Sequence, residues 1–127
     1  MGKEYLTDTN SVIDFLINKL PDKANLLIEG VDSKISVITR MELLAWSGAS
    51  YKQTLILNEF IVASMVFALE EPVIIKAIDI RKVYKIKLPD AIISATALVN
   101  ELAIITRNTN DFNHIEGLEV INPYDIN

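Results

Sequence analysis

The sequence predicts an α/β fold, a three-layer α/β/α sandwich around a mostly parallel sheet of about five strands. Three observations predict it. Short apolar or β-branched segments alternate with stretches of helical periodicity along the whole chain. Residues 102–106 (LAIIT) form an apolar run that ends only at Thr106, the pattern of a strand buried on both faces. The stretch that opens at Pro89 repeats Ala91, Ser94, Ala95 and Leu98 at helical spacing, so a face of mostly small side chains can approach a sheet closely.

Taken in order, residues 4–7 read as a first strand that ends at Asp8, and residues 11–20 as a helix stopped by Pro21. A second helix covers 23–29, with Gly30 as its terminator. Residues 34–38 (KISVI) alternate and are β-branched, which makes them the second strand; a helix follows from Arg40 and ends at Gly48. Residues 51–61 are helical, 64–68 form the third strand, and Pro72 sits in the first turn of a helix running to about Tyr84. After the helix at Pro89 come the fourth strand, 102–106, and a short fifth, 119–121. No Pro/Gly/Ser-rich linker, low-complexity tract or internal repeat intervenes, so residues 1–127 read as one domain.

Half of the 127 residues are hydrophobic, enough to build a core. The absence of Cys removes disulfides, thiolate metal sites and cysteine nucleophiles, and fits a reducing cytoplasm. His114 is the only histidine, which excludes a two-imidazole ribonuclease mechanism and a multi-histidine zinc site. Apolar runs such as 60–69 are interrupted by Ser64 and fall short of the roughly 18 residues needed to cross a bilayer. With no targeting pattern at the start, a cytoplasmic protein is expected. A formal net charge of −5 argues against a nucleic-acid partner, unless some of the acids hold cations that meet the phosphate in their place.

In parallel sheets, sites gather beyond the carboxyl ends of the strands, where strand order reverses. Asp8 closes the first strand, Glu42 lies in the first turn after the second, Asp90 opens the small-faced helix, and Asp111 follows the fourth strand by a few residues. Each has a local explanation as well. Glu42 stands three residues after Thr39 and completes a capping box; Asp90 suits a helix N-terminus; Asp111 can cap the turn 108–111; Asp8 or Asn10 can cap the helix that follows. Jointly, four carboxylates at one rim would repel and raise one another's pKa values unless a cation held them. Oxygen ligands of this kind suit Mg²⁺ or Mn²⁺.

The segments LTDTNSVIDFL, ITRMELLAW, LPDAIISATAL and IITRNTNDF resemble, in order and spacing, the four acidic motifs of PIN-domain nucleases, and of VapC-type toxins of toxin–antitoxin pairs in particular. The resemblance spans nearly the whole chain. It implies a metal-dependent endoribonuclease in which Asp8, Glu42, Asp90 and Asp111 bind one or two Mg²⁺ or Mn²⁺ ions, and Thr106 lines the same site. Thr106 could equally be a strand-end residue that satisfies a local backbone group. Water acidified by an ion would attack the scissile phosphate in line, while the leaving oxygen is stabilised. The products implied carry a 5′-phosphate and a 3′-hydroxyl.

Residues 81–87 (RKVYKIK) form the densest basic run and could steer RNA to the rim, with Lys87 nearest the acids and Tyr84 free to stack on a base; as a solvated helix end they need no such role. Arg40 and Arg107, beside proposed ligands, are candidates for phosphate contacts or for pairing with the acids. Residues 11–20 and 54–62 carry more apolar positions than one core stripe needs. They are covered either within the domain or, as the resemblance implies, by a homodimer partner and a cognate antitoxin. Two other readings compete. Asp8-Thr9-Asn10-Ser11-Val12 approaches the nucleophile motif of haloacid-dehalogenase-type phosphatases, with Asn10 where the second acid belongs, and the capping explanations leave room for a non-catalytic α/β interaction module.

Overall fold

The computed structural model describes residues 3–29 and 33–126. Its elements are β1 (Tyr5–Thr7), α1 (Thr9–Leu16), α2 (Asp22–Ile28), β2 (Lys34–Ser36), α3 (Val37–Leu44), α4 (Tyr51–Ala63), β3 (Met65–Phe67), α5 (Glu71–Val83), α6 (Leu88–Val99), β4 (Ala103–Ile105) and β5 (Val120–Ile121). Short 3-10 turns cover Thr109–Asp111 and Pro123–Asp125.

Every strand pairing is parallel. β4 lies between β1 and β5, with Leu6 opposite Ile104 and Ile105 opposite Ile121; β2 pairs with β3, with Ile35 opposite Val66. β1 lies alongside β2, which joins the two ladders in the spatial order β3-β2-β1-β4-β5. The chain thus leaves β1 toward β2 on one side and returns to it through β4 on the other. That reversal is the topological switch point of a doubly wound sheet, and it opens at the ends of β1 and β4.

Side chains alternate across the strands and supply a core on each face. Leu6 and Ile104 pack with Ala91, Ile93 and Ala95 of α6 and with Val73, Ala77 and Ile80 of α5. Ile105 packs with Leu20, Ala24 and Ile28, and Ile35 with Val12, Leu43 and Leu57. The small face expected for α6 is real: Ala91, Ser94 and Ala95 are all fully buried. The three-layer α/β/α expectation is met, with the five strands as one three-stranded and one two-stranded ladder side by side.

Several boundaries differ from the sequence expectation for physical reasons. The second strand stops at Ser36, whose hydroxyl accepts the Ile38 amide at 3.0 Å and starts α3 at Val37 rather than Arg40. α3 also ends at Leu44, four residues before Gly48. α1 ends at Leu16 because the chain turns at Asn18, which takes a φ of 60°, before Pro21 is reached. Gly30, expected to stop α2, lies outside the described residues. The helix α4 begins where Ser50 and Gln53 form a complete capping box. Among the described residues no helix is long and apolar enough to cross a membrane.

Because α6 meets the sheet through fully buried alanines, Ala95→Leu should overpack that seam and lower unfolding free energy by about 1–3 kcal/mol. A shift of the urea midpoint at unchanged slope would show it.

Candidate active site

Asp8 follows β1 directly and is only 6% exposed. Its amide donates to the Ile105 carbonyl at 2.9 Å, which continues the β1–β4 ladder to the carboxylate. Oδ1 accepts the Thr9 amide at 2.9 Å, and Oδ2 accepts the Thr106 hydroxyl at 2.9 Å and Asn10 Nδ2 at 3.2 Å. Asp8 is therefore the N-cap of α1 and a buried acid at the switch point at once. Burial pushes its pKa above the ordinary aspartate value; the Thr106 and Thr9 donors oppose that rise, and the charges of Glu42 and Asp111 add to it.

Thr106 follows β4 directly and has no exposed surface. Besides donating to Asp8 it accepts from Asn10 Nδ2 at 3.2 Å and from the Asn108 amide at 3.1 Å. One hydroxyl thus satisfies a local backbone amide and also donates to the buried acid.

Glu42 is not a capping residue. With Ser36 as the cap, Thr39 falls inside α3 and is fully buried, and Glu42 lies a turn further on with its side chain exposed. Its Oε1 accepts the Thr9 hydroxyl, which also lies 3.1 Å from the Thr39 hydroxyl. These bonds tie the chain after β1 to the helix after β2. Asp90 is in the first turn of α6, half-buried. Desolvation, then the charges of Asp8, Asp111 and Glu42, push its carboxyl up to about 6, against a smaller opposing effect of Lys87.

An open cavity of about 290 Å³ is lined by Asp8, Thr9, Asn10, Ile13, Glu42, Asp90, Arg107 and Asn108. Asp111, exposed in the 3-10 turn after β4, does not line the cavity, yet its charge bears on both Asp8 and Asp90. Three expected acids therefore share one cavity and the fourth acts on it from outside. Among the described residues no three acidic or histidine side chains are drawn close enough to hold an ion as they stand. The donor set is nevertheless that of a hard divalent cation: carboxylate and amide oxygens, with no sulfur or imidazole among the lining residues. A larger groove of about 610 Å³, lined chiefly by apolar residues of α5 and α6, lacks acids altogether.

The basic candidates separate. Arg107 lines the cavity and its Nη1 bonds both oxygens of Asp14, at 2.9 and 3.2 Å. Arg40 and Lys87 are exposed and line no part of it. Tyr84 is not free to stack on a base: its ring packs into the core cluster and edge-on to His114, and its hydroxyl accepts the Glu116 amide at 3.0 Å. Sequence reasoning gave no role to Asp14 or Tyr124. An acid inside the apolar run from Val12 to Ile17 was a signal for the first; nothing local marks the second.

The family model described as PIN domain matches residues 5–118. Among solved structures, a chain of a toxin–antitoxin complex from Klebsiella pneumoniae is 33% identical, with a TM-score of 0.76 over 97% of this chain and 100% of that one. A chain of DNA-bound VapBC from Salmonella typhimurium is 24% identical, with a TM-score of 0.77 over 94% and 97%, and shows the likeness of fold. A chain of FitAcB from Neisseria gonorrhoeae is 25% identical, with a TM-score of 0.72 over 96% and 99%. Among curated proteins none matches significantly.

The raised carboxyl of Asp90 has a consequence for stability. The folded protein keeps a proton there up to about pH 6, whereas the unfolded chain has lost it from about pH 4, so stability contributed by the neutral form is lost as pH rises through that window. In metal-free buffer at pH 7.5, Asp90→Asn should melt a few degrees higher than wild type, and the difference should vanish near pH 4, as a thermal-shift series across pH would show.

Proposed function

The chain belongs to the PIN-domain family, as a nuclease of the VapC toxin type, and we propose that it is a Mg²⁺- or Mn²⁺-dependent endoribonuclease whose site is built by Asp8, Glu42, Asp90, Asp111 and Thr106. The observation that carries this reading is a cavity at the switch point of the sheet, lined by Asp8, Glu42 and Asp90, where burial and the neighbouring carboxylates raise the proton affinity of Asp8 and Asp90. Asp8, Glu42 and Asp90 would hold the cation, with Asp111 acting on them from outside the cavity. When bound, a divalent ion supplies water acidified for attack on phosphorus and stabilisation of the charge on the leaving oxygen.

The chain's own residues do the rest. Thr106 and Asn10 hold the Asp8 carboxylate in one orientation, and Thr9 holds Glu42 across from it. Asp90, half-buried with a pKa near 6, is the acid best placed to exchange a proton with water at neutral pH. The phosphatase reading loses its footing, because Asn10 is spent bracing Asp8 and Thr106 and the PIN match runs through this segment.

A toxin of this kind acts in the cytoplasm with a cognate antitoxin, and we place the partner surfaces on α4 and α5. α1, which looked over-apolar, is covered within the domain, since Val12 is buried and Ile13, Phe15, Leu16 and Ile17 are half-buried. Tyr51 and Val62 of α4 are 81% and 86% exposed, and Ile75 and Ile78 of α5 are about half exposed. Homodimerisation would cover part of this surface. Sedimentation at micromolar concentration should show a dimer, and a monomer at every concentration would overturn that part of the reading.

Cleavage of bulk RNA should require Mg²⁺ or Mn²⁺, stop with EDTA and leave 5′-phosphate ends. Thr106→Val should lower the rate roughly 10- to 100-fold, as loss of a residue that orients a ligand does. Asp8→Asn should lower it further. Cleavage by Asp8→Asn equal to wild type would mean that the activity belongs to a contaminant.

A further inference from the structure

Asp14 of α1 is 2% exposed and far from the metal-site acids in its bonding. Its carboxylate accepts Arg107 Nη1 through both oxygens and the Tyr124 hydroxyl at 2.9 Å. Three separate parts of the chain meet here: α1, the residue after Thr106, and the C-terminal 3-10 turn. The Arg107 backbone is fixed as well, its amide donating to Asn10 Oδ1 at 3.2 Å. Nη1 carries both bonds to Asp14, the Tyr124 hydroxyl also interacts with the guanidinium, and the side chain is still 48% exposed in a residue that lines the acidic cavity.

A guanidinium anchored on a buried acid and still half exposed suits binding of a phosphate. Such a cation answers a need of this site. RNA that reaches the carboxylates must place its neighbouring phosphates somewhere, and among the described residues Arg107 is the only cation that lines the cavity. The bland account of the Asp14 cluster is that a buried acid is neutralised by the nearest arginine. That account does not explain why a tyrosine from the chain's end adds a third bond, which narrows the freedom of the pair rather than its charge.

We infer that Asp14 and Tyr124 are positioning residues that hold the Arg107 guanidinium at the rim of the acidic cavity, where its exposed part takes a backbone phosphate next to the scissile one. This rests on the nuclease reading of the same cavity. The proposal makes a prediction opposite in sign to simple electrostatics. Removing an acid from a chain of net charge −5 should tighten RNA binding, whereas releasing Arg107 from its brace should weaken it.

The test is binding of a short, fluorescein-labelled, random-sequence single-stranded RNA to the full chain, read as anisotropy with Ca²⁺ in the buffer. Arg107→Gln should bind roughly 10-fold more weakly, and its salt dependence should fall by about 0.7 in log–log slope, the share of one phosphate on a single strand. Asp14→Asn should weaken binding while Arg107 is present and add nothing in the Arg107→Gln background, as coupled residues do. Tyr124→Phe, which changes no charge and leaves the ion pair, should show the same coupling with a smaller effect, and serves where Asp14→Asn fails to fold. Tighter or unchanged binding by Asp14→Asn, or weakening that persists in the Arg107→Gln background, would overturn the positioning role. Wild type that binds no RNA would instead overturn the nuclease reading on which it rests.

Discussion

A carboxyl group almost closed off from water at the end of β1 is the constraint that the rest of the structure answers. An unpaired buried carboxylate costs several kcal/mol, and Asp8 avoids much of that cost through donors from three directions: the first amide of α1, the Asn10 side chain and the Thr106 hydroxyl. The Thr106 hydroxyl is available only while β1 and β4 keep their register, to which the Asp8 amide is itself tied by its bond to Ile105. The geometry of the site and the pairing of the central strands are thus one fact.

Around that acid the fold gathers charge that it does not neutralise. Glu42, Asp90 and Asp111 act on Asp8 or on one another, and the half-buried Asp90 holds its proton to about pH 6. Arrangements that raise the proton affinity of carboxyl groups are unfavourable for a scaffold and useful for a cation site. On the proposed function the same arrangement would answer the objection raised by the acidic composition, since a bound cation, joined by Arg107, would meet the phosphates in place of a basic surface.

Much of this was legible in the residues, and the exceptions have identifiable causes. The alternation of strands and helices, the buried fourth strand and the small face of α6 followed from periodicity and side-chain size. Boundaries were less legible, because they depended on which hydroxyl capped which helix: Ser36 took the role expected of Thr39, and that moved Glu42 from a capping position into the site. The acids Asp8, Glu42 and Asp90 could be placed on one rim from strand ends alone, since topology decides where strand ends lie. The Asp14–Arg107–Tyr124 cluster could not, because its members are separated by most of the chain and meet only through the tertiary fold. Tyr84 shows the reverse case, in which an aromatic within a basic run looked free and proved to be core.

The central claim is that the acids at the switch point act as one set on a divalent cation. Titration of the metal-free protein with Mn²⁺ at pH 7.5, followed calorimetrically, tests it most directly and needs no knowledge of the RNA target. Saturable binding in wild type, with loss of binding in Asp8→Asn and Asp90→Asn alike, is the predicted result. Binding that both variants retain at wild-type strength, or no binding in wild type at millimolar Mn²⁺, would contradict the account.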